Sequence, residues 1–500
     1  MALEWRAETL EELAGREFDL LVIGGGIIGA GIANEASRAG LAVALVDKGD
    51  FGAATSSSSS KLIHGGLRYL RLGDVRLVRE AHKERRALMR IVAPHLVRRL
   101  PFLFPVYEHG PYRAFTIQTG LWMYSTLARE RLGGLVPPER SRRSVPSLRL
   151  EGLRGCGLYA DAWTHDSRLC LGNVRAAADA GAAVLNYAEV TELRKEGGRV
   201  TGVELRDVLG GETASVRARV VINATGPWVD RLRRLEDPAA APSVRLSKGA
   251  HAVLRLEQPW SAALTIPHDA VRVSFAVPWE GMLLLGTTDT LYEGEPDDVS
   301  ATPEDVDQIL SEAAVAVDPG VLRPDAIRSV YAGLRVLPGV EGATASARRE
   351  TVYLRGPGGM LTVAGGKLTT YRRIALEALG QVRADLGLHR LQNRPVPLPG
   401  AERLAEAGVH LARAHPDLEP AIRSHLAHLY GSLAGEVAEE AAGDSSLLER
   451  LNPEAPDIAA QAVYAQRREW ACKPEDILRR RTTLELRGLR PTKKLAEVLG

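Results

Sequence analysis

Gly24, Gly26 and Gly29 follow the apolar run Leu20 to Ile23 in the spacing G-x-G-x-x-G, and Asp47 ends the stretch DLLVIGGGIIGAGIANEASRAGLAVALVD. The chemistry this allows is the holding of a pyrophosphate by bare backbone. One glycine permits a tight turn, the next lets main-chain N–H groups approach the phosphates, and the third lets a helix pack closely on a strand. An acid after the following strand can accept bonds from both hydroxyls of an adenosine ribose, and its charge argues against a 2′-phosphate. Turn, helix pattern and acid together indicate a dinucleotide, with NAD and FAD both open.

A second cluster follows directly in residues 50–70, DFGAATSSSSSKLIHGGLRYL. A run such as Ser56 to Ser60 is a flexible linker by composition. Placed immediately after the acidic strand end, it reads instead as an active-site wall whose small hydroxyl residues can pack on a cofactor and bond its phosphates. Lys61, His64, Gly65, Gly66, Arg68 and Tyr69 crowd polar and cationic groups behind it. Farther on, the apolar strand Val220 to Ile222 runs into Asn223, Ala224, Thr225, Gly226, Pro227 and Trp228, again bringing backbone close to a ligand. Arg335 stands alone in the apolar stretch Val330 to Pro338, where a buried guanidinium needs an anion, either a structural partner or a substrate. Lys367 follows Gly365 and Gly366 at the end of a strand, and His251 follows Lys248 and Gly249 near the start of another.

The strings TSSSSSKLIHGGLRYL (55–70), INATGPWVD (222–230), LLLGTTDT (283–290) and AGGKLTTYR (364–372) resemble the FAD-dependent glycerol-3-phosphate dehydrogenase and oxidase family, from about residue 18 to the C-terminus. The resemblance implies FAD, bound through Gly24, Gly26, Gly29, Asp47, Thr55, Ser56, Ser57, Lys61, Leu62, His64, Gly65, Ala224, Gly226, Gly366, Lys367, Leu368 and Thr369. It also implies oxidation of sn-glycerol 3-phosphate to dihydroxyacetone phosphate, with hydride moving from C2 to flavin N5. Arg68, Arg335 and Lys367 are the expected phosphate clamp, with Tyr69 and Lys61 as further substrate contacts. His64 is the first choice for the base that takes the hydroxyl proton, and His251 the second. Electrons are expected to pass to a membrane quinone. A soluble oxidase making H2O2 from O2 is the alternative, and a non-catalytic flavin-binding protein is the third class.

The elements that must position these groups imply an α/β protein. The expected core is a Rossmann-type FAD-binding domain, glutathione-reductase-like and of the D-amino-acid oxidase type, with an antiparallel β substrate domain and a C-terminal helical domain. The first two interleave over 18–385: FAD parts fall near 18–90, 155–245 and 330–385, and substrate parts near 91–154 and 246–329. After the proline-rich segment RPVPLPG the helical domain covers 395–500. Local patterns predict a helix over 28–39, a strand over 41–46 and a helix over 303–316 capped by Thr302. Residues 71–105 read as mostly helical and basic, and Tyr112, Phe115, Trp122, Met123 and Tyr124 read as core.

Composition narrows the rest. A formal charge of +2 over 500 residues gives no global pull toward nucleic acid, and none is expected. Arg479, Arg480 and Arg481 read as a solvated or ion-paired helix end. Three scattered cysteines argue against disulfides and zinc, and His165 and Asp166 are set aside as metal ligands because no partner stands at a diagnostic spacing. No long apolar run and no signal-like N-terminus stand in the chain. The expectation is a cytoplasmic homodimer, peripheral on the cytoplasmic face of the inner membrane through contact with anionic lipid.

Overall fold

The computed structural model describes residues 4–67, 74–130, 134–269, 272–339, 351–416 and 418–499. Two sheets dominate them. In the first, the strands Leu361–Gly365, Thr213–Asn223, Glu17–Ile23, Val43–Val46 and Ala183–Leu185 run parallel in that spatial order. Their central residues are apolar, because the middle of the sheet is covered on its faces. Leu20, Leu21, Val22 and Val43 to Val46 are fully buried, as parallel strands require. Helix Ile27–Arg38 packs on one face, starting one residue before its predicted position and ending one residue early. An antiparallel meander, Ala188–Glu196, Arg199–Asp207 and Thr213–Asn223, feeds back into the parallel core.

The second sheet is mainly antiparallel. Its spatial order is Thr290–Tyr292, Val244–Arg255, Met282–Gly286, Val273–Trp279, Ala263–Pro267, Val97–Tyr107, Leu153–Thr164 and Leu62–Ile63. The long strand Ile327–Pro338 pairs with Val244–Arg255, setting Arg335 opposite Ser247 and Tyr331 opposite His251. Strands Leu62–Ile63, Leu153–Thr164 and Ile327–Pro338 therefore join the substrate-side sheet, although their positions in the chain suggested the cofactor-binding parts. Helix Pro303–Ala313 covers this sheet and begins as predicted. Thr302 Oγ1 accepts the Asp305 N–H at 3.3 Å while the Asp305 carboxylate accepts the Thr302 N–H at 2.9 Å.

Residues 71–105 depart from the helical reading. After helix Val75–Ala87 and a wide turn at Leu88–Val92, the chain becomes the strand Val97–Tyr107. Phe102 and Phe104 are buried there. Pro101 and Pro105 obscured the strand. They are tolerated because the flanking strand Ala263–Pro267 registers only with Phe102 and Leu103, leaving neighbouring positions without a ladder partner on that side. The aromatic reading of 112–124 is also corrected. Tyr124 is core, but Phe115, Trp122 and Met123 stand 79%, 63% and 41% exposed on the outer face of helix Ala114–Ala128.

The C-terminal helices Leu404–Ala414, Pro420–Tyr430, Ala434–Glu439 and Ala459–Arg468 enclose their own apolar cluster. They are tied to the cofactor-side sheet by buried charge. Arg480 and Arg481 both bind Asp50, with Arg481 Nη2 at 2.8 Å from Asp50 Oδ1, and Arg168 binds Glu469 at 2.7 Å. Burial alone would raise the Asp50 pKa; the guanidiniums of Arg481 and Arg480 overcome it and hold the carboxyl below its usual range. A depressed folded-state pKa means the contribution is complete above about pH 4 and is lost as pH falls through the folded value. Asp50→Asn should cost about 3–5 kcal/mol in urea unfolding at neutral pH, because two buried guanidiniums lose their counter-charge. It should also flatten the acid limb of stability. Equal unfolding curves for variant and parent would show that the cluster contributes nothing to docking.

Candidate active site

A cavity of about 680 Å3 runs between the C-terminal ends of the parallel strands and the inner face of the second sheet. At one end the strand Glu17–Ile23 stops and Gly24 turns the chain at φ +105°. A Cβ there would lie 2.6 Å from the Ala224 carbonyl oxygen. At Gly29 it would lie 1.8 Å from the Gly24 carbonyl oxygen, so this third glycine serves helix-to-strand packing and does not face the cavity. Gly26 caps the helix Ile27–Arg38 with no side-chain acceptor, leaving the positive helix end toward the cavity. Ser56 Oγ accepts the Ile27 N–H at 2.9 Å, which fastens the serine loop to the glycine turn.

Asp47 lines the same end. Its carboxylate accepts the Gly25 N–H at 2.6 Å and the Gly49 N–H at 2.8 Å. Burial pushes its pKa up to about 6 in spite of those bonds. Hydroxyl donors arriving from a ligand would favour the charged form. Beyond Asp47 the rim is closed by Lys48, whose Nζ stands 4.0 Å above the Trp228 ring and 2.7 Å from Asp297.

The other end is polar and cationic. Arg335 lines it, with Nη2 donating to Thr287 Oγ1 at 2.7 Å and to the Thr288 carbonyl at 3.1 Å, while Asp289 stands 3.7 Å from Nη1. Gly249 makes room for this guanidinium, since a Cβ there would come within 2.5 Å of Nη2. His251 lies beside it, 3% exposed, stacked on Tyr331 at 4.9 Å and with Nε2 2.8 Å from Ser60 Oγ. Burial, then the charges of Arg335 and Lys61, hold His251 far below the usual imidazole pKa. His64 is half-buried on the cavity wall. Its backbone is clamped by Thr369, whose Oγ1 accepts the His64 N–H at 3.1 Å and donates to the His64 carbonyl at 3.3 Å. Gly366, Lys367, Leu368 and Thr369 complete this wall.

Among the residues expected at the site, Gly24, Gly26, Asp47, Thr55, Ser56, Leu62, His64, Ala224, Gly226, His251, Arg335 and Gly366 to Thr369 share this one cavity. Arg68 and Tyr69 lie outside the described residues. Lys61 is placed elsewhere than expected: its ammonium is 2.7 Å from Asp166 and 3.2 Å from the Ser57 carbonyl, buried behind the serine loop. There it braces the loop and does not line the cavity. Ser57 turns its hydroxyl back to the carbonyls of Ala53 and Ala54, and Gly65 packs on His82 and Tyr124, so neither lines the cavity. Sequence reasoning gave no site role to Lys48, Asp297 and Gly249, or to Glu475 and Arg479, which the C-terminal domain adds to the wall; nor to Thr287, which orients Arg335. Lys48, adjacent to Asp47, Gly249, two before His251, and Thr287, inside the string LLLGTTDT, carried a local signal.

Residues 19–372 match the family described as FAD dependent oxidoreductase, and residues 392–499 match the C-terminal domain of alpha-glycerophosphate oxidase. Glycerol-3-phosphate dehydrogenase 2 of Mycobacterium tuberculosis is 37% identical over 99% of this chain and 86% of its own length. The chain belongs to the FAD-dependent glycerol-3-phosphate dehydrogenase and oxidase family. Another member, glycerol-3-phosphate dehydrogenase of Synechocystis, is 35% identical over 95% of this chain and 90% of its own length. The FAD-complexed glycerol-3-phosphate dehydrogenase of Bacillus halodurans superposes with a TM-score of 0.78 at 30% identity, covering 96% of this chain and 89% of that one. L-alpha-glycerophosphate oxidase of Mycoplasma pneumoniae, 18% identical with a TM-score of 0.58 over 77% of this chain and 99% of that one, shares the fold.

The cradle fits the cofactor of this dehydrogenase and oxidase family. The helix end beside Gly24 and Gly26, where Ser56 takes only the Ile27 N–H, suits a pyrophosphate, and Asp47 retains acceptor lone pairs for ribose hydroxyls. Leu62, His64 and Gly366 to Thr369 are the residues that would face the ring system.

Proposed function

We propose that this protein binds FAD and oxidises sn-glycerol 3-phosphate to dihydroxyacetone phosphate, with a membrane quinone as electron acceptor. The observation that supports it is the convergence of Arg335, Lys367, His64 and His251, from four separate segments, on the cavity that begins at the glycine turn. A dinucleotide cradle continuing into a cationic, imidazole-lined pocket suits a small phosphorylated alcohol.

Bound FAD supplies the hydride acceptor and hands the electrons on. Arg335 binds the substrate phosphate as a planar donor already oriented by Thr287 and Thr288, so little side-chain freedom is lost on binding. Lys367 adds a second positive charge at the same end. His64 takes the C2 hydroxyl proton. Its competitor His251 is neutral but a weak base, since burial and neighbouring cations disfavour its protonated form. His251 and Ser60 instead hold the wall that orients the substrate.

Quinone as acceptor is favoured by the outer face of helix Ala114–Ala128. Trp122 lies two turns beyond Phe115 with Met123 next to it, between the exposed Arg113 and Arg129. Exposed aromatics framed by arginines suit an anionic bilayer surface. Among the described residues, no helix is long and apolar enough to cross a membrane. Trp122→Ser combined with Phe115→Ser should lower binding to phosphatidylglycerol-containing vesicles by about tenfold or more, and quinone reduction with it. Activity with a water-soluble dye should persist; equal vesicle binding by variant and parent would remove this helix from the account.

The proposal as a whole is tested by mixing the yellow protein anaerobically with sn-glycerol 3-phosphate, then adding either a quinone analogue or oxygen. Bleaching followed by faster reoxidation with quinone is expected. Faster reoxidation by O2 would reassign the protein as an oxidase, and absence of bleaching would end the substrate assignment.

A further inference from the structure

We propose that His165, Glu280 and His428 form a divalent metal site, chemically suited to Zn2+, that fastens the C-terminal domain to the substrate-side sheet. The three residues are far apart in the chain, which is why no ligand spacing marks them in the sequence. His165 precedes helix Asp166–Asp179, Glu280 occupies the turn between strands Val273–Trp279 and Met282–Gly286, and His428 comes from helix Pro420–Tyr430 of the C-terminal domain.

Their ligand atoms all lie within 4.8 Å of one another. Glu280 Oε1 is 3.0 Å from His165 Nε2 and 3.4 Å from His428 Nε2. A tetrahedral zinc with bonds of about 2.0–2.1 Å places neighbouring ligand atoms about 3.3 Å apart, so two of the three edges already have the right length. Two imidazoles and one carboxylate leave a fourth position for water, and imidazole ligation selects zinc over magnesium or calcium.

One further observation points to a missing ligand. The His428 side chain is 8% exposed, and neither ring nitrogen has a hydrogen-bond partner. Glu280 and Gly281 form the two-residue turn that joins Trp279 to Met282, with positive φ at both positions (+48° and +74°) as such turns take, and the Glu280 carboxylate turns inward. Trp163 and Trp279 wall the cluster, with ring centroids 5.2 Å from His428 and 5.4 Å from His165. The site also backs the serine loop, because Asp166, adjacent to His165, binds Ser59 and Lys61. A bound ion would thus connect domain docking to the wall of the active site.

The competing arrangement is a metal-free ion pair between Glu280 and a protonated histidine, and metal binding by the FAD-loaded protein separates the two. Chelator-treated holoprotein titrated with Zn2+ should saturate at about one tight equivalent per chain and melt at higher temperature. Stoichiometric Co2+ should give the intense ligand-field bands of a four-coordinate site, to the red of the flavin. His428→Asn and Glu280→Gln should each weaken Zn2+ binding by at least about tenfold and abolish those bands. Should either variant fold poorly, the parent protein decides alone: absence of a tight Zn2+ equivalent or of Co2+ bands overturns the site. Unchanged Zn2+ affinity in both folded variants overturns it as well. None of these readouts depends on the substrate being glycerol 3-phosphate.

Discussion

Arg335→Ala is expected to raise the KM for sn-glycerol 3-phosphate by about 10²–10³-fold while leaving the FAD content unchanged. The magnitude follows from removing a charge-assisted contact made by a pre-oriented guanidinium, about 3–4 kcal/mol, where about 1.4 kcal/mol is tenfold. FAD should be retained because Gly24, Gly26 and Asp47 stand at the other end of the cavity. Lysine should rescue only in part, since an ammonium cannot keep both the Thr287 and Thr288 bonds in the same plane. Steady-state kinetics with cofactor quantitation reads both effects. A KM within about twofold of the parent, no more than the ordinary scatter of a surface change, would return Arg335 to a structural role as the partner of Asp289, 3.7 Å away.

His64→Gln should slow anaerobic flavin reduction at saturating substrate by about 10²–10⁴-fold, the range expected when a positioned base is lost. Glutamine preserves size and hydrogen bonding, so the backbone clamp with Thr369 should survive and substrate affinity should change little. His251→Gln should act more weakly on the reduction step and more strongly on KM, because His251 sits beside Arg335 and is tied to Ser60. Stopped-flow reduction of the two variants distinguishes them. A parental rate for His64→Gln together with a collapse for His251→Gln would exchange their roles.

The cofactor cradle was legible because its demands are local. A positive φ at Gly24, a helix that starts at Ile27 and an acid after the next strand are all written within one βαβ unit, and short-range geometry realises them directly. The same holds for Thr302, whose cap needs only the next turn of chain. The strand Val97–Tyr107 was less legible, since its prolines and flanking arginines obscure a burial pattern that depends on which side lacks a neighbour. Lys61 shows the limit most clearly. Its position among candidate site residues suggested a substrate cation, but Asp166, which neutralises it, lies 105 residues away.

By itself the chain's sequence determined the dinucleotide turn, the order of cofactor motifs, the helical C-terminal region and the family, because each is carried by contiguous residues or by patterns of short period. Only the tertiary structure decided which charges meet. Register set Arg335 near His251, docking buried Arg480 and Arg481 on Asp50, and three distant segments brought His165, Glu280 and His428 within ligand distance. Charge pairing depends on distance in space, and no spacing along the chain encodes the contacts that burial and strand register impose.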